Sequence, residues 1–149
     1  MTDNHAIHIE IIPHTIPWPP QANELFGRDA IRFIPTIPTT HDQSTNLSTE
    51  PPLPHLIGFF ENNTLIAGLL YLQFNDHAAI HHLIIPPQHR GKGIAGSLLR
   101  RAISFAESHN ATYLLTTAGF GCHDHINLYT RLGFQSTSDH APYIMIKTL

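Results

Sequence analysis

Residues 81–107 read HHLIIPPQHRGKGIAGSLLRRAISFAE, and the order of residue types in this stretch decides the fold. The stretch begins inside an apolar run, residues 77–85, which is predicted to be a strand that stops at Pro86 and Pro87. It then becomes helical over residues 93–109, where apolar side chains recur on one side of the predicted helix: Ile94, Leu98, Leu99, Ala102, Ile103 and Ala106. A glycine-rich loop joins the strand to the helix.

The connecting loop, residues 88–96, contains three glycines in nine residues. Glycines let backbone amides turn toward a ligand, and the loop lies at the positive end of the helix dipole. The sequence therefore predicts a site for a phosphorylated ligand. The loop matches neither of the two better-known phosphate loops: it lacks G-x-x-x-x-G-K-[ST], and it is not a G-x-G-x-x-G followed by an acidic residue on a second parallel strand.

The flanking sequence predicts a mixed α/β arrangement. A first strand is expected at 6–12, a short helix within 21–32, a hairpin of strands 55–61 and 64–74 that turns at Asn62 and Asn63, and a third antiparallel strand at 77–85. Residues 111–117 predict a strand that follows the long helix in a parallel crossover. A helix over 123–132 ends at Gly133, and 143–147 predicts a terminal strand. Residues 35–54 are rich in Pro, Thr and Ser and predict a long, flexible loop.

Two separated motifs carry a resemblance to a known family. Arg90-Gly91-Lys92-Gly93-Ile94-Ala95 resembles the R/Q-x-x-G-x-G/A signature of the Gcn5-related N-acetyltransferases (GNATs), and residues 128–134, LYTRLGF, look like the LYxxLGF segment of that family. The resemblance covers residues 56–149 and is most specific in 80–96 and 128–134. It implies the GNAT fold, an α/β fold with a mixed, mostly antiparallel sheet whose central parallel strands splay apart, flanked by helices.

The resemblance also implies acetyl-coenzyme A as cosubstrate and an N-acetyltransferase activity. In the family the loop amides wrap the pyrophosphate, and the pantetheine arm lies in the gap between the splayed strands, bonded to backbone groups. The residues that would contact coenzyme A here are Leu83, Ile84, Ile85, Arg90, Gly91, Lys92, Gly93, Ile94, Ala95 and Gly96.

Acetyl transfer to an amine requires a group that removes a proton. An alkylamine with a pKa near 10.4 is mostly protonated at pH 7, and deprotonating it costs about 4.6 kcal/mol. His81 precedes the loop on the predicted active-site strand, as a proton-removing histidine does in serotonin N-acetyltransferase, and strand alternation predicts that it faces away from His82. His81, His82 and a water chain or a residue elsewhere all stay open as the base, as does a purely structural role for both histidines.

Tyr129 corresponds to the tyrosine that many family members use to protonate the departing thiolate. Because a phenol is a weaker acid than a thiol, a stabilising hydrogen bond is the more plausible role, with a packed aromatic as the alternative. Cys122 occupies the position of a family asparagine that contacts coenzyme A, which puts that one contact in doubt. His123-Asp124-His125 does not match a metal motif, and no metal is expected.

Composition limits the partners. The chain has 149 residues, 42% of them hydrophobic, a formal net charge of -3, only 8 Lys plus Arg and one cysteine. We therefore expect a single cytoplasmic domain over 1–149 that binds neither nucleic acid nor membrane. The acceptor is an unidentified amine on a small molecule, peptide or protein, and the resemblance leaves a homodimer open. A non-catalytic acyl-CoA-binding regulatory module is the alternative function, and a metal-binding role for the 13 histidines is a third.

Overall fold

The computed structural model describes residues 6–27, 52–118, 123–137 and 143–149 of the chain. Its strands are β1 (Ile7–Pro13), β2 (Leu53–Glu61), β3 (Thr64–Gln73), β4 (Ala78–Ile84), β5 (Tyr113–Ala118), β6 (Gln135–Ser136) and β7 (Tyr143–Thr148). Its helices are α1 (Gln21–Phe26), α2 (Ile94–Ser108) and α3 (His123–Arg131), with a single 3-10 turn at Pro87–His89. The predicted loop as far as residue 51, and Cys122, lie outside the described residues.

The strands form one seven-stranded sheet in the order β1-β2-β3-β4-β5-β7-β6. Consecutive strands β1 to β4 form an antiparallel meander, and among the described strand pairs only β4 and β5 run parallel. The crossover between these two strands passes through α2, as a parallel connection requires. The predicted mixed, mostly antiparallel sheet is confirmed.

The sheet has two faces with different helical cover. One face, which we call the α2 face, packs against α2 and α3 and buries Leu69, Tyr71, Ile80, Leu83 and Leu114. This arrangement follows from the helical stripe that the sequence predicted, since Leu98, Leu99, Ala102 and Ala106 of α2 are fully buried there. Burial of each leucine in such a core stabilises the fold by about 1.5–3 kcal/mol.

The opposite face, the α1 face, is covered by the short helix α1 on the first half of the sheet. Phe26 of α1 packs in a cluster with Leu56 and Leu70. Its ring lies over Gly68 of β3, where an added Cβ would come within 3.3 Å of the Phe26 ring and 3.1 Å of the Ile57 carbonyl. A side chain at position 68 would therefore force the Phe26 ring or the Ile57 carbonyl to shift by a few tenths of an ångström.

The predicted helices and strands are present with boundaries within two residues of those expected, and two differences concern the pairing of the sheet. β2 begins at Leu53, so the last two residues of the predicted loop are paired with β3. The two-residue strand β6 was not predicted; it pairs with β7 at the edge of the sheet. The predicted turn at Asn62 and Asn63 is confirmed, since both have positive φ angles, of 51° and 64°.

Candidate functional site

β4 and β5 separate after three paired residues. Ala78, Ala79 and Ile80 pair with residues 114–116 of β5, after which β4 continues to Ile84 with no further partner in β5. On its other side β4 stays paired with β3 as far as Ile84. Backbone groups of residues 81–84 that point toward β5 therefore border a gap in the sheet. Leu83 and Ile84 from the predicted contact set lie along this gap, and Ile85 follows it.

A β-bulge at His81 changes the direction of the side chains on β4. Ile80 pairs with Tyr71 and His82 pairs with Leu70, so His81 is an extra residue between two consecutive pairs. Ile80 and Leu83 both belong to the core on the α2 face. The two histidines between them consequently turn together toward the α1 face, and their ring centroids lie 4.3 Å apart.

The expectation that strand alternation separates His81 from His82 was therefore wrong. Alternation assumes an uninterrupted two-residue period, and the extra residue of the bulge breaks that period. In the structure both candidate bases lie side by side on the α1 face, so their orientation does not favour one over the other.

The surroundings of these histidines favour the neutral imidazole. Partial burial lowers the pKa of His81, and the pKa of His82 is lowered by burial and by repulsion from His81. Both rings are half-buried at the gap. A neutral imidazole is the form that can accept a proton, so each ring is in a competent state at pH 7.

Tyr129 lies on the α2 face of the sheet, level with the point where β4 and β5 separate. It is only 2% exposed, and its ring packs 5.4 Å from that of Phe134 in the α2-face core. Its hydroxyl accepts a 3.4 Å hydrogen bond from Thr116 Oγ1. Thr116 is the β5 residue in the last parallel pair, opposite Ile80, so the phenolic oxygen lies beside the start of the gap.

The glycine-rich loop has the geometry of an open anion site. Gly91 and Gly93 have φ angles of 79° and 77°, and an added Cβ on either would find no other atom within 4 Å. The first backbone bond into α2 runs from Ser97 N to Gly93 O, at 3.1 Å. The amides of residues 94–96 therefore have no partner within the helix and are available to an anion.

Arg90 fixes this loop to the end of β4. Its Nε donates a 2.9 Å hydrogen bond to the carbonyl of Ile85, across the Pro86-Pro87 corner. The loop and the gap are thus held next to each other. Lys92 is exposed on the loop and adds a positive charge beside the amides.

Two concave regions of the described residues lie away from the gap, around Trp18 between β1 and α1. They have volumes of about 330 and 400 Å³, and the first is lined by His14, Asn23 and Pro54 as well as Trp18. Trp18 is anchored there by its indole Nε1, which donates to the carbonyls of Ile12 and Pro13, both at 3.2 Å. Strand register puts this region level with the gap, since Ile12 aligns with His82 of β4, but strands β2 and β3 lie between the two.

Sequence reasoning missed Thr116 and the bulge. Thr116 is the single buried polar residue in the described core, and a threonine next to another in an otherwise apolar strand was the available signal. The bulge had no such signal in the sequence. Among the described residues, no group of three or more His, Cys, Asp or Glu side chains could hold a metal ion, and none of the described helices is long and apolar enough to cross a bilayer.

The sequence profile of the acetyltransferase (GNAT) family matches residues 14–134, which is most of the chain. The chain belongs to this family. A curated relative, N-acetyltransferase 8B of Rattus norvegicus, is 32% identical over 66 residues, which cover 44% of this chain and 30% of that protein. The GNAT chain described here therefore matches less than a third of the length of this curated relative.

Solved GNAT structures share the fold. A GNAT acetyltransferase from Elizabethkingia anophelis with acetyl-CoA bound is 18% identical, covers 95% of this chain and 98% of its own, and gives a TM-score of 0.70. The PaiA N-acetyltransferase from Thermoplasma acidophilum, solved in complex with coenzyme A, is 20% identical over 63% of this chain and 60% of its own, with a TM-score of 0.58. The GNAT fold of the chain is confirmed by these likenesses.

Proposed function

We propose that this GNAT chain transfers an acetyl group directly from acetyl-CoA to a primary amine. One observation carries the proposal: where β4 and β5 separate, a buried phenol lies on the α2 face of the sheet and two neutral histidines lie on the α1 face. A thioester held in the gap would have its sulfur near the phenol and its carbonyl carbon open to the histidine side. This two-sided arrangement suits direct transfer, in which the amine attacks the carbonyl carbon while the thiolate departs.

The chain offers acetyl-CoA two kinds of backbone contact. The amides at the start of α2 and the open space beside Gly91 and Gly93 fit a pyrophosphate, which needs close approach to backbone N–H groups. The edge of β4 from residue 81 to 84 fits an extended amide-bearing arm, which could pair with it as an additional strand would. Both contacts position the substrate without any side-chain charge beyond Arg90 and Lys92.

On the α1 face, His81 or His82 would remove the proton of the amine. The amine must lose this proton before or during its attack on the thioester carbonyl, at a cost of about 4.6 kcal/mol for an alkylamine at pH 7. A neutral imidazole beside the attacking nitrogen offsets part of that cost by accepting the proton. Because the two rings lie 4.3 Å apart, a proton on one disfavours a proton on the other, so the pair holds one proton at a time.

On the α2 face, Tyr129 would stabilise the departing thiolate. Full proton transfer from a phenol to a thiolate is uphill by about 2 kcal/mol, so the hydroxyl acts mainly by donating a hydrogen bond as charge develops. Thr116 supports this role because it donates to the phenolic oxygen, which orients the hydroxyl. The bond that forms is the amide C–N bond, and the bond that breaks is the thioester C–S bond. The ammonium nitrogen loses two protons in all: the first leaves through the histidine side before attack, and the second leaves after the C–N bond has formed and goes to the departing thiolate, which is released as the thiol.

The test is thiol release from acetyl-CoA across a panel of primary amines, measured together with acetyl-CoA binding by calorimetry. Direct transfer predicts binding without any amine, and release of one thiol per acetylated amine with no burst of acetylated enzyme. Binding with no release for any amine would show the alternative function, a non-catalytic acyl-CoA-binding module. Failure to bind acetyl-CoA at all would remove the loop and the gap from any coenzyme A site.

The proposal includes a cytoplasmic location and an acceptor that is a small molecule, a peptide or a protein. A cytoplasmic location agrees with the single cysteine, which gives no internal disulfide framework. Association as a homodimer is a further part of the expectation, and sedimentation would measure it.

A further inference from the structure

Beyond the gap, the α1 face carries a strip of half-exposed apolar side chains. Strand register places Ala79 of β4, Leu115 of β5 and Ile146 of β7 side by side on this face. One step further along, Thr117 and Ile144 are paired on the same face. Ile144 is 46% exposed, and Leu115 and Ile146 are half-buried. We call this surface, formed by Ala79, Leu115, Thr117, Ile144 and Ile146, the β4–β7 strip.

An aromatic stack ends the β4–β7 strip at the start of β5. His77 lies between Phe74, at a ring-centroid distance of 4.5 Å, and Tyr113, at 4.8 Å, with interplanar angles of 5° and 8°. The His77 ring is fixed by Asp76, whose Oδ1 lies 2.6 Å from Nδ1. Thr112 holds the same turn, because its backbone and side chain both donate to the Asp76 carbonyl, at 2.7 and 2.8 Å. The stack is therefore an ordered aromatic surface.

The β4–β7 strip and the histidine pair lie on the same face of the sheet. His82 lies on the same face of the sheet as Ala79, and His81 turns the same way because of the bulge. Helix α1 covers β3 and β4 on this face, and the side chains of the strip keep part of their surface exposed. Exposed apolar surface that adjoins a reaction centre is typical of a substrate-binding surface.

The size and chemistry of the strip define what it would bind. From Thr117, one residue beyond the last parallel pair with β4, to Tyr113 is four residues of β5, or about 13 Å. The strip side chains are aliphatic apart from one threonine, they carry no formal charge, and they end at an aromatic stack. Such a surface binds an apolar body and favours an aromatic ring at its far end, since ring pairs add to the energy of area burial.

We infer that the acceptor is a primary amine on an apolar, aryl-terminated chain, which lies along the β4–β7 strip with its nitrogen at His81 and His82. This inference rests on the proposed acetyl transfer and names the substrate class of the same site. The amine end meets the neutral histidines and the gap, and the apolar body covers Leu115, Ile144 and Ile146. The aryl end reaches toward the Phe74, His77 and Tyr113 stack.

The test compares matched pairs of amines with the wild-type chain. 3-Phenylpropylamine and n-propylamine have the same reacting group and differ only in the aryl end. The ratio of their kcat/KM values therefore measures how much binding of the aryl end contributes to turnover. The inference expects a ratio of about tenfold or more in favour of the aryl amine. It also expects the dication putrescine and a lysine-containing hydrophilic peptide to be poorer acceptors than 3-phenylpropylamine.

A pair of variants tests whether the preference for the aryl amine arises from the β4–β7 strip. Ile144→Ser removes apolar area from the β4–β7 strip and should lower the kcat/KM ratio about fivefold through the KM of the aryl amine, with the KM of acetyl-CoA unchanged. Ile7→Ser is the matched control, because Ile7 is also an exposed strand isoleucine, at 58%, but lies on β1 at the other edge of the sheet. Ile144→Val should keep most of the ratio.

The outcomes distinguish failure of the inference from failure of the acetyl transfer on which it rests. Turnover of n-propylamine, putrescine or the peptide at least as fast as the aryl amine would overturn the inference and leave the acetyl transfer intact. An aryl preference that Ile144→Ser and Ile7→Ser alter equally would also overturn it, because the preference would then arise elsewhere. Acetyl-CoA binding without turnover of any amine would overturn the transfer and the inference together.

Discussion

The two edges of β4 differ although they belong to the same strand. Along β3 the ladder runs from Ala78 to Ile84, interrupted only by the bulge, whereas along β5 it ends at Ile80. Each edge has a buried tyrosine at the level of Ile80: Tyr71 pairs with Ile80 from β3, and Tyr129 reaches Thr116 on the β5 side. The first edge uses its hydrogen-bonding groups for folding, and the second leaves them at a gap, where a substrate could pair with them.

The largest expected effect comes from removing the phenolic hydroxyl of Tyr129, on the β5 side of β4. Tyr129→Phe should lower kcat by about ten- to a thousandfold with little change in the KM of acetyl-CoA, because the hydroxyl acts mainly as thiolate charge appears. Single-turnover measurement of thiol release would show the loss. Unchanged kcat, with chemistry shown to be rate-limiting, would return Tyr129 to a packing role.

Tyr71→Phe is the control for that prediction. The Tyr71 hydroxyl donates a 2.6 Å hydrogen bond to Gln73 Oε1, and burial raises the pKa of this phenol, so the group stays protonated. Its loss should lower the free energy of unfolding by about 1 kcal/mol and leave kcat unchanged. Equal losses of kcat in the two variants would mean that the edges do not differ in function.

The next largest effect should be on acetyl-CoA binding, through the glycine-rich loop that follows β4. Gly93→Glu should weaken acetyl-CoA binding about a hundredfold, because it places a carboxylate among amides that would receive a phosphate. Calorimetric titration of acetyl-CoA would measure the change, and a normal affinity in a folded variant would remove the loop from the site.

Gly27→Glu controls for backbone strain in that experiment. Both glycines have φ 77° and open space at the Cβ position, and Gly27 has ψ 147° where Gly93 has ψ 12°. A residue with a side chain is at least as strained at position 27, so strain alone would harm this control more. We expect Gly27→Glu to bind acetyl-CoA nearly as the wild type does.

A smaller effect should come from the residue that supports Tyr129. Thr116→Val keeps the shape of a buried β-branched side chain but removes the donor to the phenol, and kcat should fall about three- to tenfold. Thr116→Ser restores a hydroxyl and should recover most of that loss, which a purely structural role would not require. A Val variant that folds stably and turns over at the wild-type rate would show that the 3.4 Å contact does not orient Tyr129.

Some of the features used in these predictions follow from the sequence pattern, and others from the family resemblance. The order of elements, the glycine-rich loop and the helical stripe of α2 followed from the sequence, because each depends on periodicity or on a local motif. The assignment of Tyr129 to the site came from the family resemblance. The separation of β4 from β5 was implied by the family resemblance, and the strand pairing agrees with it.

Other features depend on long-range packing and could not be predicted. The bulge at His81 arises because Ile80 and Leu83 both enter the α2-face core, and the sequence does not show which strand residue will be left unpaired. The short strand β6 exists only through its pairing with β7. Leu53 and Pro54 continue β2 beyond the predicted loop boundary because β3 is long enough to pair with them.

The smallest expected effect tests the histidines at the gap by their titration. If one of them removes the amine proton, kcat/KM should rise with pH as that imidazole becomes neutral. Burial lowers the pKa of both rings, so the rising limb should lie below 6.5, the ordinary value for histidine, and activity should be lost only as pH falls through that lower pKa. A pH profile of kcat/KM with one amine at fixed ionic strength would measure this limb.

His81→Ala, His82→Ala and the double variant assign the limb to a residue. If His81 is the base, the limb should disappear in His81→Ala and in the double variant, and persist in His82→Ala. The pKa of His82, followed by NMR, should rise in His81→Ala, because the neighbouring ring that repels its charged form is gone. That rise is expected whichever ring is the base, so it tests the bulge geometry independently of the chemistry. If all three variants keep the parental limb, the proton leaves through water or another residue, and the α1 face contributes to binding the amine without deprotonating it.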